Sequence, residues 1–248
     1  MKNIALKVVL VLFAALPMMA VAGIENPGFE TGDTAGWTVD TNGQALPISV
    51  VSGETQTSAG TINPSLTDDF YAFTSQTGPG SSYMIQTFEV QPGTNRIFFD
   101  VAINNAGGGF FVPDPLSFDF EGEPNQQARF DILAPGADFD TVDPDEIIAV
   151  GFQTQPGEPL NQDWERFDVD VTDELAPFVG ETVSLRFVQV DNQGFFNMAV
   201  DNLSVGAAPP PGVGPETPAL AVDTLQTPFL LLMAALLGWL GLRAVYKS

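Results

Sequence analysis

The sequence predicts an all-β fold, built as an antiparallel two-layer β-sandwich, and three observations support this prediction. Apolar and polar residues alternate in short runs such as Phe167 to Val171, which is the period of a half-buried strand. Turns rich in Gly, Pro, Asn and Asp separate these runs. Only residues 173–179 have the pattern of a helical turn. About ten short strands without helices between them are typical of a sandwich.

The strands are predicted, in chain order, from the alternation and from the turns that bound each run. Because successive side chains of a strand point to opposite faces, the apolar residues are expected in the core and the acids in water. Trp37 is expected in the core. The predicted strands are residues 46–51, 70–74, 82–90, 96–103, 116–120, 128–133, 147–152, 166–171, 183–187 and 195–205.

The composition excludes several classes of chemistry. The 248 residues include 31 acidic and 8 basic side chains, and neither cysteine nor histidine occurs. Zinc fingers, thiol nucleophiles, disulfides, haem ligation and Ser-His-Asp triads are therefore excluded. The net charge of −23 argues against nucleic acid as a partner, because phosphate binding needs clustered Lys and Arg.

The charge is more acidic still in the predicted domain, residues 23–206. Of the 31 acids, only Glu216 and Asp223 lie outside this domain, whereas four of the eight basic residues lie outside it. The domain therefore contains 29 acids and four arginines, and its net charge is −25. No lysine lies inside the domain, so Schiff-base chemistry is excluded there.

Both ends of the chain have the composition of export and membrane segments. Residues 1–22 are predicted to be a signal peptide, with Lys2 and Lys7 before an apolar stretch and a small-x-small site ending at Ala22. Residues 207–224 form a Pro/Gly-rich linker. Residues 225–248 are predicted to form a transmembrane helix that places the domain outside the cell, because a basic tail follows the apolar run.

The C-terminal segment resembles a bacterial sorting signal. A Pro/Gly spacer, Thr-Pro-Ala-Leu220, an apolar run and a short basic end are similar to the PEP-CTERM and IPTL-CTERM types, although the Val-Pro-Glu-Pro motif of the first type is missing. The resemblance implies a sorting protease as a partner and a place at the cell surface or in its polymer layer. A permanent single-pass anchor in the membrane is the alternative.

The domain itself resembles exported jelly-roll modules of the carbohydrate-binding, galactose-binding-like kind. Bacterial surface proteins that combine such a domain with exchangeable sorting tails are called choice-of-anchor proteins. The resemblance implies a fold far more than an activity. It rests on five segments: Asn26–Asp33, Gly36–Thr38, Asp163–Asp168, Gly180–Phe187 and Val200–Val205.

The same resemblance implies a structural calcium ion that joins the first and last strands. Transferred residue by residue, its ligands are Glu30, Asp201 and the backbone carbonyl of Asn26. Calcium takes six to eight hard oxygen ligands, so these groups suit it. The alternative is that Glu30 and Asp201 are solvated acids. The acidic segment 138–146 fails the EF-hand spacing and is expected to be a solvated loop.

Sugar binding would need an exposed aromatic side chain with polar neighbours. Trp164 and Arg166 are the candidate ligand-binding residues, because alternation turns both outward. The first hypothesis is a non-catalytic structural or binding module of the envelope or extracellular matrix. The second is a module that binds polysaccharide through Trp164, and the least favoured is a glycoside hydrolase, since no acid lies in an apolar run that would raise its pKa.

Overall fold

The structure is a computed structural model that describes residues 23–65, 69–75 and 78–206. The signal peptide predicted at residues 1–22, the linker at 207–224 and the membrane segment at 225–248 lie outside the described residues. Within the described ranges, no helix has both the length and the apolar character needed to cross a membrane.

The described chain is composed of strands, with a single short helical segment. That segment combines α1 (Thr172–Leu175) with one 3₁₀ turn (Ala176–Phe178), as the sequence predicted. The strands are β1 (Thr38–Gly43), β2 (Ser49–Ser52), β3 (Thr55–Gln56), β4 (Thr61–Ile62), β5 (Phe70–Phe73), β6 (Gly80–Glu89), β7 (Arg96–Asn105), β8 (Gln126–Leu133), β9 (Ile147–Gln153), β10 (Asn161–Asp170), β11 (Thr182–Asp191) and β12 (Phe196–Gly206).

Two five-stranded antiparallel sheets pack face to face. Sheet A has the strand order β1-β6-β11-β8-β9, and sheet B has the order β10-β7-β12-β5-β2. The chain passes between the sheets at nearly every connection from β5 to β12, which is the connectivity of a jelly roll. The prediction of an antiparallel two-layer β-sandwich is confirmed.

The core between the sheets is rich in phenylalanine. Phe99 of sheet B lies with its ring centroid 4.4 Å from that of Phe130 and 5.4 Å from that of Phe187, both in sheet A. All three side chains are fully buried. Trp37 is 7% exposed and packs on Phe29, so its predicted place in the core is confirmed.

Two loops cover the outer face of sheet A, and one of them corrects a prediction. Residues 116–120 are a loop, not the predicted strand. Phe118 packs against Tyr83 on the sheet, which explains the alternation of its segment. The carbonyls of Ser117 and Asp119 accept hydrogen bonds from the Asn125 side chain at 2.9 and 2.8 Å, so a side-chain amide satisfies backbone groups that a neighbouring strand would otherwise bond.

The second loop, residues 134–146, covers a buried cluster of charged residues. Arg186 and Asp131 are 0% exposed and Arg129 is 4% exposed, and both arginines donate hydrogen bonds to Asp131. Arg186 also donates to the carbonyls of Phe139 and Thr141, at 2.9 and 2.7 Å. The acidic segment predicted as a solvated loop therefore also supplies backbone acceptors to a buried guanidinium.

The two ends of the sandwich are defined by strands β7 and β12. At one end, Gly206 pairs with Arg96; at the other, Phe196 pairs with Asn105. We call them the Gly206 end and the Phe195 end. Ten residues of β12 separate them, or roughly 30 Å at about 3.3 Å per residue.

Candidate functional site

The first turn of the domain is fixed by its own backbone and by the core. Asn26 and Phe29 adopt left-handed backbone conformations, with φ values of 50° and 58°. The Asn26 carbonyl accepts hydrogen bonds from the Phe29 N–H and from the indole N–H of Trp37, both at 3.3 Å. The Asn26 side chain donates to the Asp33 carbonyl at 2.9 Å. The core tryptophan thus holds the turn that carries Asn26 and Glu30.

The last strand meets this turn where its pairing is irregular. The register of β12 on β7 shifts between Asp201 and Ser204, and Asn202 has a φ of 54°. Immediately after Asn202, the Leu203 N–H donates to the Pro27 carbonyl at 3.0 Å. One backbone hydrogen bond therefore joins the beginning of the domain to its end, and we call this contact between Pro27 and Leu203 the joint. Left-handed non-glycine residues on both sides of this joint are a costly arrangement that surrounding contacts must hold in place.

A network of two aspartates, one arginine and one asparagine lies beside the joint. Asp100 and Asp201 are paired across β7 and β12, and they are 6% and 0% exposed. Arg166 binds Asp100 through Nε and through Nη2, the latter at 3.0 Å, and Asn202 donates to Asp100 at 2.8 Å. The bond to Asp100 raises the pKa of Arg166 above its ordinary value; desolvation opposes this shift.

Asp201 is held by three groups. It accepts hydrogen bonds from the Ser65 hydroxyl, from the Asn202 N–H at 2.7 Å and from the Asn202 side chain at 3.2 Å. Its charge also favours the charged form of Arg166 and so contributes to the raised pKa of that group. Asp201 is therefore a buried carboxylate whose oxygens point into an organised polar network.

Some of the predicted site residues, but not all of them, line one shallow depression. A space of about 380 Å³ is lined by Asn26, Glu30, Arg166 and Asn202, together with Pro27, Gly28, Leu203 and Ser204. Glu30 is exposed and accepts a hydrogen bond from the Phe70 N–H at 3.0 Å. Asp201 lies below the lining and contacts it through Asn202.

The donor chemistry of the joint suits calcium, although acidic ligands are few. Glu30 and Asp201 carry carboxylate oxygens and Asn26 a carbonyl oxygen, which are the hard ligands that Ca²⁺ prefers. The Asn26 carbonyl and both Asp201 oxygens already accept hydrogen bonds, so an ion would have to replace some of these contacts. Among the described residues, no three acidic, cysteine or histidine side chains lie close enough together to hold a metal. A calcium ion at this joint would therefore complete its six to eight ligands with backbone oxygens and water.

Trp164 lies on the same outer face of sheet B but away from the depression. Its indole N–H donates to the Asn63 carbonyl at 2.9 Å, and its ring meets Tyr71 edge-on at 5.3 Å between centroids. Ile62 and Phe73 complete this small apolar cluster beneath the β3–β4 hairpin. Trp164 is half-buried, and its contacts fasten the segment after β4 to the sheet.

Sequence reasoning missed Asp100, Asn202 and Ser65 as members of the network. The acids of the strands were expected to point into water. Asp100 does lie on the outer face of its sheet, but it is buried because Arg166 and Asn202 cover it. The one available signal was the Asp201-Asn202 pair before Leu203, since asparagine tolerates the left-handed conformation that an irregular strand requires.

The fold has partial likenesses among solved structures. A carbohydrate-binding module, TmCBM61, in complex with β-1,4-galactotriose has 14% identity and a TM-score of 0.45, over 74% of this chain and 97% of that one. A Stig cyclase from Fischerella sp. TAU has 18% identity and a TM-score of 0.44, over 75% and 96%. The K1 cleaved adhesin domain of Lys-gingipain from Porphyromonas gingivalis W83 has 12% identity and a TM-score of 0.40, over 73% and 96%.

Neither a protein-family model nor a curated protein matches the chain. The three structural likenesses include binding modules and an enzyme, and all three TM-scores are below 0.5. They therefore assign no activity to this chain, and its function has to be argued from its own residues.

Proposed function

We propose that this protein is an exported, non-catalytic β-sandwich of the cell surface, a structural or binding module whose first turn and last strand are joined by calcium. The observation that carries this proposal is the joint itself. A turn in strained conformation, a strand irregularity and a buried carboxylate meet at one hydrogen bond between Leu203 and Pro27.

The charges around the joint favour a divalent cation. Glu30, Asp100 and Asp201 carry three negative charges, and Arg166 supplies one positive charge, which is already bound to Asp100. Two negative charges remain, one of them on a fully buried side chain. One Ca²⁺ would neutralise both and would tie together the ends of a domain that has no disulfide.

The fixed partners of the buried acids favour a non-catalytic role. Four carboxylates are buried among the described residues, those of Asp100, Asp131, Asp191 and Asp201. Three of them have identified partners: Asp100 binds Arg166, Asp131 binds two arginines, and Asp201 binds Ser65 and Asn202. A general acid needs a carboxyl group that is free to exchange a proton with substrate. These three are committed to the structure instead.

A thermal melt tests the calcium joint. A ligand that binds only the folded state raises the free energy of unfolding, by about 2.7 kcal/mol at a concentration 100 times its Kd, and so raises the melting temperature. We expect a higher melting temperature in millimolar CaCl₂ than in EDTA for the wild type, and a clearly smaller difference for Glu30→Gln and Asp201→Asn. Glu54→Gln, an exposed acid of the β2–β3 turn, is the control. Equal melting temperatures of the wild type in calcium and EDTA would refute the joint.

Export and surface sorting are tested on the mature chain. Cell fractionation followed by mass spectrometry of both termini should find the protein in the envelope or matrix fraction, beginning at Gly23. Loss of the residues after about Pro218 would favour a sorting protease, and their retention would favour a permanent anchor. A cytoplasmic protein that keeps Met1 would contradict the proposal.

Polysaccharide binding through Trp164 and Arg166 is the second candidate function. The half-buried indole of Trp164 and the exposed side chain of Arg166 lie on the outer face of sheet B, as this hypothesis requires. Both groups, however, already bind the protein, Trp164 to Asn63 and Arg166 to Asp100. Loss of glycan binding in Trp164→Ala would favour this candidate, provided that the variant still unfolds cooperatively.

A further inference from the structure

A second depression lies on the outer face of sheet B, close to the Phe195 end. Residues 56–58 of the β3–β4 hairpin form one wall, with Ser75 beside them. Phe73 and Asn197, two neighbouring side chains of the sheet, form the floor and are 7% and 8% exposed. Phe195 stands at the rim and is 49% exposed. An exposed aromatic ring thus lies at the rim of a depression that is lined mainly by polar side chains.

Phe195 is held in position rather than displayed on a loose loop. Its carbonyl accepts a hydrogen bond from the Ala106 N–H at 2.8 Å, and the next residue, Phe196, is fully buried. Gly194 has a φ of 141°, and a Cβ there would come within 2.9 Å of the Gly107 Cα. The turn before Phe195 therefore requires glycine, and the backbone that carries the ring is fixed on both sides.

The polar groups of the depression are also fixed. The Thr57 hydroxyl accepts hydrogen bonds from the Asn104 side chain at 3.1 Å and from the Ala59 N–H at 3.2 Å, and it donates to the Gly60 carbonyl at 3.0 Å. It therefore shapes the wall of the depression and leaves the ligand to the other polar side chains. The Asn197 side chain donates to the Thr74 carbonyl at 2.6 Å, which sets the orientation of its amide group. Groups that are already oriented bind a ligand at a lower entropic cost.

The lining of this depression is uncharged, in a domain with a net charge of −25. None of its side chains is Asp, Glu, Lys or Arg. Among the described residues, the Glu54 carboxylate lies next to this lining and accepts a hydrogen bond from the Gln56 side chain at 2.6 Å. An anionic ligand would find no cationic group here and would be repelled by the domain, and a cation would find no carboxylate in the lining. The chemistry therefore fits an uncharged polar ligand.

We propose that this depression binds a neutral saccharide, with one sugar ring stacked on Phe195 and its hydroxyl groups bonded to the amides and hydroxyls of the lining. Sugar rings combine an apolar face with many hydroxyls, which an aromatic ring flanked by amides and hydroxyls complements. The depression measures about 280 Å³, at the small end of the roughly 300–1,000 Å³ of ligand pockets, so it suits one sugar residue or a chain end.

This proposal rests on the binding role argued above but uses a different surface from the calcium joint. Phe195 lies at the opposite end of β12 from Gly206, where the chain leaves the domain toward the proposed anchor.

Affinity electrophoresis of the full chain in detergent-containing native gels tests the site. The gels contain a soluble neutral polysaccharide (galactan, mannan, xyloglucan or a mixed-linkage β-glucan) or an anionic one (alginate or polygalacturonate). We expect retardation in at least one neutral gel, unchanged by added salt because no charge pairs are involved, and none in the anionic gels. Phe195→Ala should weaken binding about tenfold, the equivalent of one lost stacking contact.

Phe111→Ala is the matched control, since Phe111 is 37% exposed at the same end but does not line the depression. Three outcomes would overturn the proposal: no retardation in any neutral gel, retardation confined to the anionic gels, or equal weakening by Phe111→Ala and Phe195→Ala. Weakening by Trp164→Ala alone would move the site to Trp164. Melting temperatures of the same samples in calcium and EDTA report on the joint separately, so either proposal can fail while the other stands.

Discussion

Arginine–aspartate clusters lie on the outer faces of both sheets, and their surroundings differ. On sheet A, loops bury Arg129, Asp131 and Arg186, and two backbone carbonyls accept hydrogen bonds from Nη1 of Arg186. On sheet B, Asp100 is buried, but the side chain of Arg166 is 51% exposed and lines a depression. The same residue types are therefore covered on sheet A and accessible on sheet B. A ligand that binds an ionic cluster would have to bind the one on sheet B.

The largest expected effect comes from breaking the sealed cluster. Asp131→Ala leaves two buried guanidinium groups without their carboxylate, a change that costs about 3–5 kcal/mol when one partner of a buried pair is removed. Urea unfolding of the variant measures this cost. Replacing all three residues together, as Arg129→Met, Asp131→Leu and Arg186→Met, should cost much less, because no charge remains buried. A loss below about 1 kcal/mol for Asp131→Ala would show that water reaches the cluster.

A smaller effect is expected from the same change on sheet B. Asp100→Ala frees Arg166, whose exposed side chain can regain water, so we expect a loss of about 1–2 kcal/mol in urea unfolding. The difference between the stability losses of Asp131→Ala and Asp100→Ala measures how much burial by the covering loops adds to the cost of removing the carboxylate. Equal losses would erase the contrast between the two faces.

The smallest effect concerns the pH dependence of the covered face. Burial raises the pKa of Tyr83, beneath Phe118 and Phe139, above its ordinary value of 10.0. The folded protein therefore keeps this proton to a higher pH than the unfolded chain does. The stabilisation is complete below about pH 10 and is lost as the pH rises toward the folded-state pKa.

Tyr83→Phe should make stability less sensitive to pH between about pH 9 and about pH 11, as followed by urea midpoints across that range. Burial also raises the pKa of Tyr71, on the other sheet, so some alkaline loss should persist in the variant. An unchanged pH profile would mean that Tyr83 ionises equally well in the folded and unfolded states.

The sequence predicted nine of the twelve described strands, because alternation follows from the strand itself, and it missed β1, β3 and β4. Residues 166–170 and 183–187 have that pattern and lie in strands. Residues 116–120 have the same pattern without being a strand, because a loop lying flat on a sheet must also turn alternate residues inward. The two cases differ in the group that bonds their backbone, which in residues 117 and 119 is the Asn125 side chain, and the alternation of a segment does not indicate that group.

The candidate sites were harder to predict than the strands. The opening turn and closing strand do meet, since Pro27 bonds Leu203, but the resemblance gave no sign of Arg166 bound to Asp100. Arg186 alternates outward in the sequence like an exposed residue, yet a loop 45 residues away covers it. Phe195 was assigned only to a strand, and its exposure depends on the glycine turn before it and on the hairpin beside it.

Strand β12 has a mechanical consequence. If a ligand is held at Phe195 and the chain is anchored beyond Gly206, a pull between them runs along the length of β12. Hydrogen bonds to β7 lie across that direction and extend from Phe196 to Gly206, interrupted only near the Asp201–Ser204 irregularity. Force applied in shear must break many such bonds together, whereas peeling breaks them one at a time. A load applied in this way would therefore meet the resistance of the whole strand.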